Sequence, residues 1–318
     1  MCLYERFGIT EEQLREAAAL LRRGELVAFP TETVYGLGAN ALDPNAVQRI
    51  FEAKGRPHTS PLIVHVSSIE MARDLAAEWP ERAEVLATRF WPGPLTLVVR
   101  KKPIIPDNVT AGLPTVGLRM PAHPVALALL REAGVPLAAP SANRFTQLSP
   151  TKAEHVRQGL GNRVAYILDG GPCEVGIEST VISVAGEVPV IFRPGGVSRS
   201  DIERVIGPVA VGTASTEGPH ASPGMHLQHY SPKTPLILAE EGSVPEHGKG
   251  AYLQIHHRPN HDAVVVNMPS DPREYAARLY ATLHDLDAGG YDWIAVETPG
   301  ETPEWEGILD RLRRASAR

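Results

Sequence analysis

Leu26-Val27-Ala28-Phe29-Pro30-Thr31-Glu32-Thr33-Val34-Tyr35-Gly36-Leu37-Gly38 is the stretch that decides how this chain is read. Its first four residues form an apolar run of strand length, and Pro30 ends the ladder because proline has no N–H to give. Two hydroxyls, a carboxylate and a phenol then follow one another, and two glycines close the stretch as a turn. Strand ends that release polar groups into a glycine-bearing turn are where open α/β sheets bind ligands.

The flanks on both sides are helical. Thr10 and Gln13 have capping-box spacing, Leu14, Ala17, Ala18 and Leu21 share one helical face, and Gly24 follows it. Asp43-Pro44 starts a second helix, Val47, Ile50 and Phe51 give its apolar face, and Gly55 ends it. Lys54 and Arg56 therefore sit at a helix C-terminus. Strands are expected at 61–66 with His65 embedded, 95–100, 115–120, 135–139, and near 165–168, 180–184 and 189–193. Helices fill 68–90 and 124–133, Ser149-Pro150-Thr151 begins another, and a short one follows Ser200. This alternation predicts an α/β layer architecture with a twisted sheet.

The texture changes at 209–234. The first half has little to pack and reads as a linker, while Ser222-Pro223-Gly224-Met225 and His229-Tyr230-Ser231-Pro232 are too rich in functional groups for a spacer and suggest a lid. Beyond it, apolar runs at 236–239, 251–255, 263–266 and 293–296 alternate with a helix at 272–286 and a basic C-terminal helix. The expected units are residues 1–208, a linker at 209–234, and a small parallel α/β domain at 235–318.

Composition bounds the function. A chain of 318 residues with 43% hydrophobic and 21% charged residues is globular and long enough for two domains. A net charge of −6 argues against non-specific nucleic-acid binding as its main business. Cys2 and Cys173 cannot build a disulfide framework or a structural zinc site, which fits a reducing cytosol. No leader pattern opens the chain and no window approaches 18 uncharged apolar residues, so a cytoplasmic, non-membrane protein is expected.

Polar groups recur at the strand ends: Lys54 and Arg56, Arg119, Ser141 and Asn143, Glu178-Ser179-Thr180, and Arg193-Pro194-Gly195. Cations with hydroxyls and glycine amides are what triphosphate recognition needs, provided the loops converge in space. Other sites lack support. There is no G-x-x-x-x-G-K-S/T loop and no G-x-S-x-G elbow. Gly36 to Ala41 imitates a dinucleotide fingerprint, but Pro30 separates it from its strand and Asp43-Pro44 starts the helix too late. His226 and His229 lack a third metal ligand, and His65 in an apolar strand reads first as a core histidine.

Taken together, Pro30 to Leu37, Lys54-x-Arg56-Pro57, Pro140 to Asn143, Ser149-Pro150-Thr151, Glu178-Ser179-Thr180, Arg193-Pro194-Gly195 and the two linker motifs resemble the YrdC/YwlC family in its long, two-domain form. Phe145-Thr146 stand where a Ser-Gly pair is usual in that family, and His226 and Gln228 where basic residues are common. The resemblance implies a twisted mixed sheet with flanking helices, followed by a small Rossmann-like parallel domain. It implies an enzyme that joins L-threonine, bicarbonate or CO2, and ATP into threonylcarbamoyl-AMP with release of pyrophosphate. TsaD-type partners then pass the threonylcarbamoyl group to tRNA beside the anticodon, so tRNA is met only indirectly. By the same resemblance Thr33, His65, Arg119, Ala139 and Ser179 hold threonine. Lys54, Arg56, Ser60, Thr115, Ser141, Asn143, Ser149, Arg193 and Tyr230 hold ATP, with Lys54, Arg56 and Arg193 as the catalytic cations. Mg2+ is expected to travel with the nucleotide and to have no protein cage of its own. The residues alone leave open an RNA-binding module, or a carbamoyltransferase built on the same domain.

Overall fold

The structure, a computed structural model, describes residues 3–212 and 230–317. The linker motifs at Ser222 to Met225, with His226, Gln228 and His229, lie outside the described residues. Helix α1 (Glu11–Arg22) starts under the expected capping box: the Thr10 hydroxyl accepts from the Gln13 N–H and the Gln13 side chain accepts from the Thr10 N–H.

Strands β1 (Val27–Phe29) and β2 (Gly36–Asn40) pair antiparallel, Val27 opposite Gly38 and Phe29 opposite Gly36. The two glycines expected to close a turn therefore open a strand instead. Phe29 explains the difference: a Cβ at Gly38 would lie 2.8 Å from its ring, and one at Gly36 3.3 Å. Only a backbone without side chains crosses the ring that closely.

The first unit continues with α2 (Pro44–Lys54), β3 (Ile63–His65), α3 (Ile69–Leu75), α4 (Glu81–Phe90), β4 (Leu95–Arg100), α5 (Asp107–Thr110), β5 (Thr115–Arg119), α6 (Pro124–Ala133) and β6 (Leu137–Ala138). Then come α7 (Ala153–Leu160), β7 (Tyr166–Ile167), β8 (Thr180–Ser183), β9 (Val190–Arg193), α8 (Arg199–Ile206) and β10 (Ala210–Val211). They form one mixed sheet in the order β10-β9-β8-β4-β5-β3-β6-β2-β1-β7. Its β10 takes in residues 210–211, which the sequence reading had placed in the linker, because they pair with β9. Ser149-Pro150-Thr151 precedes its helix by a short extended step, since the Pro150 and Thr151 carbonyls accept from the N–H groups of Tyr35 and Cys173.

The second unit has β11 (Leu236–Ala239), β12 (Gly250–Gln254), β13 (Val264–Asn267), α9 (Pro272–Asp287), β14 (Trp293–Glu297) and α10 (Glu306–Ser316). Its sheet, β11-β14-β12-β13, is parallel throughout. The two units share an apolar cluster: Val34, Leu148 and Ile177 of the first pack with Tyr275, Leu279 and Ile308 of the second. Helix α10 approaches so closely that a Cβ on Gly307 would lie 3.1 Å from the Gly195 backbone. The second unit thus rests on the loops that lead into β8 and out of β9. Among the described residues no helix is long and apolar enough to cross a membrane.

Candidate active site

Strand pairing gathers the polar loops. β3 and β5 run parallel with His65 opposite Arg119, and β3 pairs antiparallel with β6, which delivers Ala139 past its end. Gly36 bridges Ser141, and the N–H groups of Tyr35 and Leu37 are received by Pro150 and Pro140, lashing the first loop to residues 139–151. On the other side β8 pairs with β9, Val181 opposite Arg193. The loops close around a cavity of about 50 Å³ lined by Thr31, Thr33, Arg56, His65, Arg119, Ala139, Ser141, Glu178, Ser179, Arg193 and Tyr230.

One side of this cavity is built around Arg119. Its Nε donates to the Gly93 carbonyl at 3.2 Å, and its Nη2 lies 2.7 Å from Glu32 Oε1, both side chains buried. The pair is electrostatic rather than aligned, since Nη2 and both Glu32 oxygens lack a hydrogen bond of good geometry. His65 is beside them with an unpartnered Nδ1. Burial first, and the Arg119 charge second, pull its pKa from 6.5 to about 3, so the imidazole is neutral at physiological pH. The Thr31 and Thr33 hydroxyls lie 2.8 Å apart, and Thr31 donates to the Val34 carbonyl. Thr31 shapes the loop and Thr33 faces the cavity. Ser179 Oγ is 2.8 Å from the Thr96 hydroxyl, and the Ala139 N–H is spent on Ile63.

The other side is cationic. Arg56 Nη2 donates to the Pro61 carbonyl at 3.0 Å, and its guanidinium lies 5.8 Å from the Phe145 ring centre. Burial is the main reason that its pKa falls to about 10, with Tyr230 opposing and Arg193 adding; it stays charged at neutral pH. Arg193 directs Nε and Nη2 to the Ser179 carbonyl, and Nη2 also to the Ser179 hydroxyl. Tyr230 closes the cavity at 1% exposure and φ 62°.

The remaining residues assigned to ATP lie behind this wall. Lys54 Nζ donates to the carbonyls of Ser141 and Asn143, the latter at 2.6 Å, so the ammonium braces the loop that carries Ser141. Burial, then Arg56, hold its pKa well below the usual lysine range. Asn143 spends its Nδ2 on the Arg144 and Gln147 carbonyls. Ser60 meets Arg56 through its carbonyl, and Ser149 Oγ donates to Glu178 Oε1 at 2.5 Å. Thr115 begins β5 and faces a different small cavity with Pro61 and Gly117. In the Phe145-Thr146 departure, Thr146 adopts φ 68°, a conformation suited to glycine, and its carbonyl is held by the Ser231 N–H at 2.9 Å.

Three charged residues join the site without having been assigned to it from sequence. Glu32 pairs with Arg119, Glu178 lines the cavity, and Arg311 of α10 donates its Nε to Glu178 Oε2 at 2.7 Å. Glu178 had a signal in its motif, but Arg311 stood in a basic helix with none. Among the described residues no group of three or more His, Cys, Asp or Glu could hold a metal ion. Glu178, which lines the cavity, and Glu32, which meets Arg119 without lining it, each face an arginine instead.

The Sua5/YciO/YrdC family profile, described as telomere recombination, matches residues 19–195, and a profile described as the C-terminal domain of threonylcarbamoyl-AMP synthase matches 197–317. The threonylcarbamoyl-AMP synthase of Bacillus subtilis is 45% identical over 98% of this chain and 95% of its own length. That of Pyrococcus abyssi is 44% identical over 97% and 95%. The crystal structure of P. abyssi Sua5 complexed with L-threonine superposes with a TM-score of 0.89 at 42% identity, covering 97% of this chain and 95% of that one. This chain belongs to the Sua5/YciO/YrdC family.

Proposed function

We propose that this chain is an L-threonylcarbamoyladenylate synthase, which makes threonylcarbamoyl-AMP and pyrophosphate from L-threonine, bicarbonate or CO2, and ATP. The observation that carries the reading is the cavity itself: Arg119, paired with buried Glu32, and hydroxyls on one wall, and Arg56 and Arg193 on the other. The relatives' names and the threonine complex of P. abyssi Sua5 support it.

Threonine sits with its carboxylate on Arg119, whose planar fork suits a carboxylate, and its hydroxyl toward Thr33. Neutral His65, Ala139 and Ser179 complete that pocket. The free threonine amine forms an N–C bond to CO2 and loses a proton, or forms it to bicarbonate with loss of water, and either route leaves a carbamate anion. A carbamate oxygen attacks the α-phosphorus of ATP, the new P–O bond forms, and the bond to pyrophosphate breaks. Both partners are anionic, so the chain's contribution is positioning and charge. Arg56 and Arg193 face the developing negative charge, and a preorganised donor of this kind is worth about 3–4 kcal/mol. Lys54 serves the same charge from behind the Ser141–Asn143 loop and fixes that loop's shape. Mg2+ enters as part of the MgATP substrate.

The cavity as it stands has room for about four waters at 10–15 Å³ each, the scale of a small amino acid and not of a nucleotide. A nucleotide needs more space than that, so ATP binding requires the residues around the cavity to move apart. The product is a mixed anhydride prone to hydrolysis, which calls for sequestration and direct hand-off to a TsaD-type transferase acting on tRNA in the cytoplasm.

The deciding experiment feeds ATP and bicarbonate with and without threonine, follows pyrophosphate, and weighs the nucleotide product. Threonine-dependent pyrophosphate with a product heavier than AMP by the threonylcarbamoyl group is expected. Turnover that requires carbamoyl phosphate, or RNA binding without pyrophosphate release, overturns the reading.

A further inference from the structure

Arg311 is 1% exposed on the last helix, yet its partners belong to the site of the first domain. Its Nε donates to Glu178 Oε2 at 2.7 Å across 133 residues of sequence. Its Nη1 donates to the Pro194 carbonyl and to Asp310, each at 2.8 Å, and Nη2 reaches the Glu178 carbonyl at 3.4 Å. The guanidinium carbon lies 5.2 Å from the Tyr230 ring centre. The Tyr280 hydroxyl, also from the second domain, donates to Glu178 Oε2 at 3.1 Å. One arginine thus grips the residue before Ser179 and the residue after Arg193.

Glu178 is an awkward neighbour for a phosphate site. It lines the cavity beside Arg193. Burial alone would raise its pKa, but Arg311 first and Arg193 second outweigh that and hold the carboxyl below its ordinary range. Without Arg311, a buried carboxylate would remain next to the cations meant for ATP and would compete with its phosphates.

We infer that Arg311 is a positioning residue of the active site, acting through Glu178: it occupies the carboxylate so that Glu178 neither cancels the charge of Arg193 nor repels the triphosphate, and the second domain thereby completes the nucleotide site of the first. The inference rests on the functional reading above.

The test uses the full chain and the threonine-dependent pyrophosphate assay, with melting temperatures read alongside. Arg311→Met is expected to raise the KM for ATP about tenfold, the scale of one charge pair. Adding Glu178→Gln to that variant removes the competing charge and brings the KM for ATP back toward wild type. A double variant no better than Arg311→Met overturns the inference, because Arg311 would then only join the domains. So does an Arg311→Met enzyme with a wild-type KM. Should Arg311→Met melt below the assay temperature, Glu178→Gln alone decides. Asp310 still pairs Arg311 there, and ATP is expected to bind at least as tightly as in wild type; a tenfold weaker KM overturns the inference. Wild-type enzyme that releases no threonine-dependent pyrophosphate sinks the functional reading instead, so the two failures are distinct.

Discussion

His65 makes a quantitative forecast about acid stability. In the folded chain its pKa is lowered from 6.5 to about 3, by burial first and by Arg119 second, while the unfolded chain takes up a proton near 6.5. Between those values the unfolded state binds more protons than the folded one. The stabilisation is therefore complete above pH 6.5 and falls as the pH drops through that window. Linkage gives a loss of about 2 kcal/mol for this one group between pH 7 and pH 5. His155, lowered to about 3 by burial and then by His284, loses a similar amount. Together that is about 4 kcal/mol, a large share of the about 5–15 kcal/mol that a folded protein has. The assay is urea unfolding followed by tryptophan fluorescence, at pH 7 and pH 5, for wild type and His65→Gln. Glutamine is polar, of similar size and cannot titrate. The variant is expected to lose about 2 kcal/mol less than wild type over the interval. An equal loss in the two proteins refutes the reasoning, for it would mean that His65 accepts a proton freely where it stands.

Two further outcomes are expected. Arg119→Met strands the buried Glu32 carboxylate and should cost about 3–5 kcal/mol in the urea midpoint. Adding Glu32→Gln should restore most of that stability but none of the threonine binding read by calorimetry, whereas a fully stable single variant would show that the pair does not form. Thr146→Gly removes a β-branched side chain from a left-handed backbone and should gain about 0.5–1 kcal/mol, after the entropy that glycine loses on folding. A destabilised glycine variant would mean that the threonine side chain contributes more than its conformation costs.

What could be read from sequence was what is encoded locally. The Thr10–Gln13 capping box, the Asp43-Pro44 start and Gly55 at φ 64° are all within a turn of the helix end they specify. In the parallel domain β14 was equally legible, as an unbroken apolar run buried on both faces, whereas β13 is an apolar run that lies largely exposed at the sheet edge. β2 was not, because Gly36 and Gly38 carry no strand preference; what requires them is the Phe29 ring on the neighbouring strand. The site follows the same division. Thr33, Arg119, Ser141 and Arg193 could be picked out as strand-end polar groups, but their convergence depends on registers such as His65 opposite Arg119. Lys54 reads as a phosphate cation, and nothing near it in sequence says that its ammonium turns to carbonyls 87 and 89 residues away. Arg311 was hidden more completely. A buried arginine in a basic amphipathic helix looks like a solvated one until its partner is known.

The way each cation is anchored separates the two halves of the site. Arg56, Arg193 and Lys54 are oriented by carbonyl oxygens of Pro61, Ser179, Ser141 and Asn143. A carbonyl dipole fixes a cation's direction without cancelling its charge, so that wall keeps a positive field for a polyanion. Arg119 instead meets the carboxylate of Glu32, while Arg311 takes up Glu178 beside Arg193 so that this carboxylate does not cancel the field of the cationic wall. The Arg119–Glu32 pair presents both signs at close range and no net charge, which, under the function proposed, suits a zwitterionic amino acid better than a triphosphate. Exchanging the two kinds of anchor would draw the nucleotide into the amino-acid pocket. The discrimination between substrates of such different charge therefore lies less in which cations line the cavity than in what holds each one from behind.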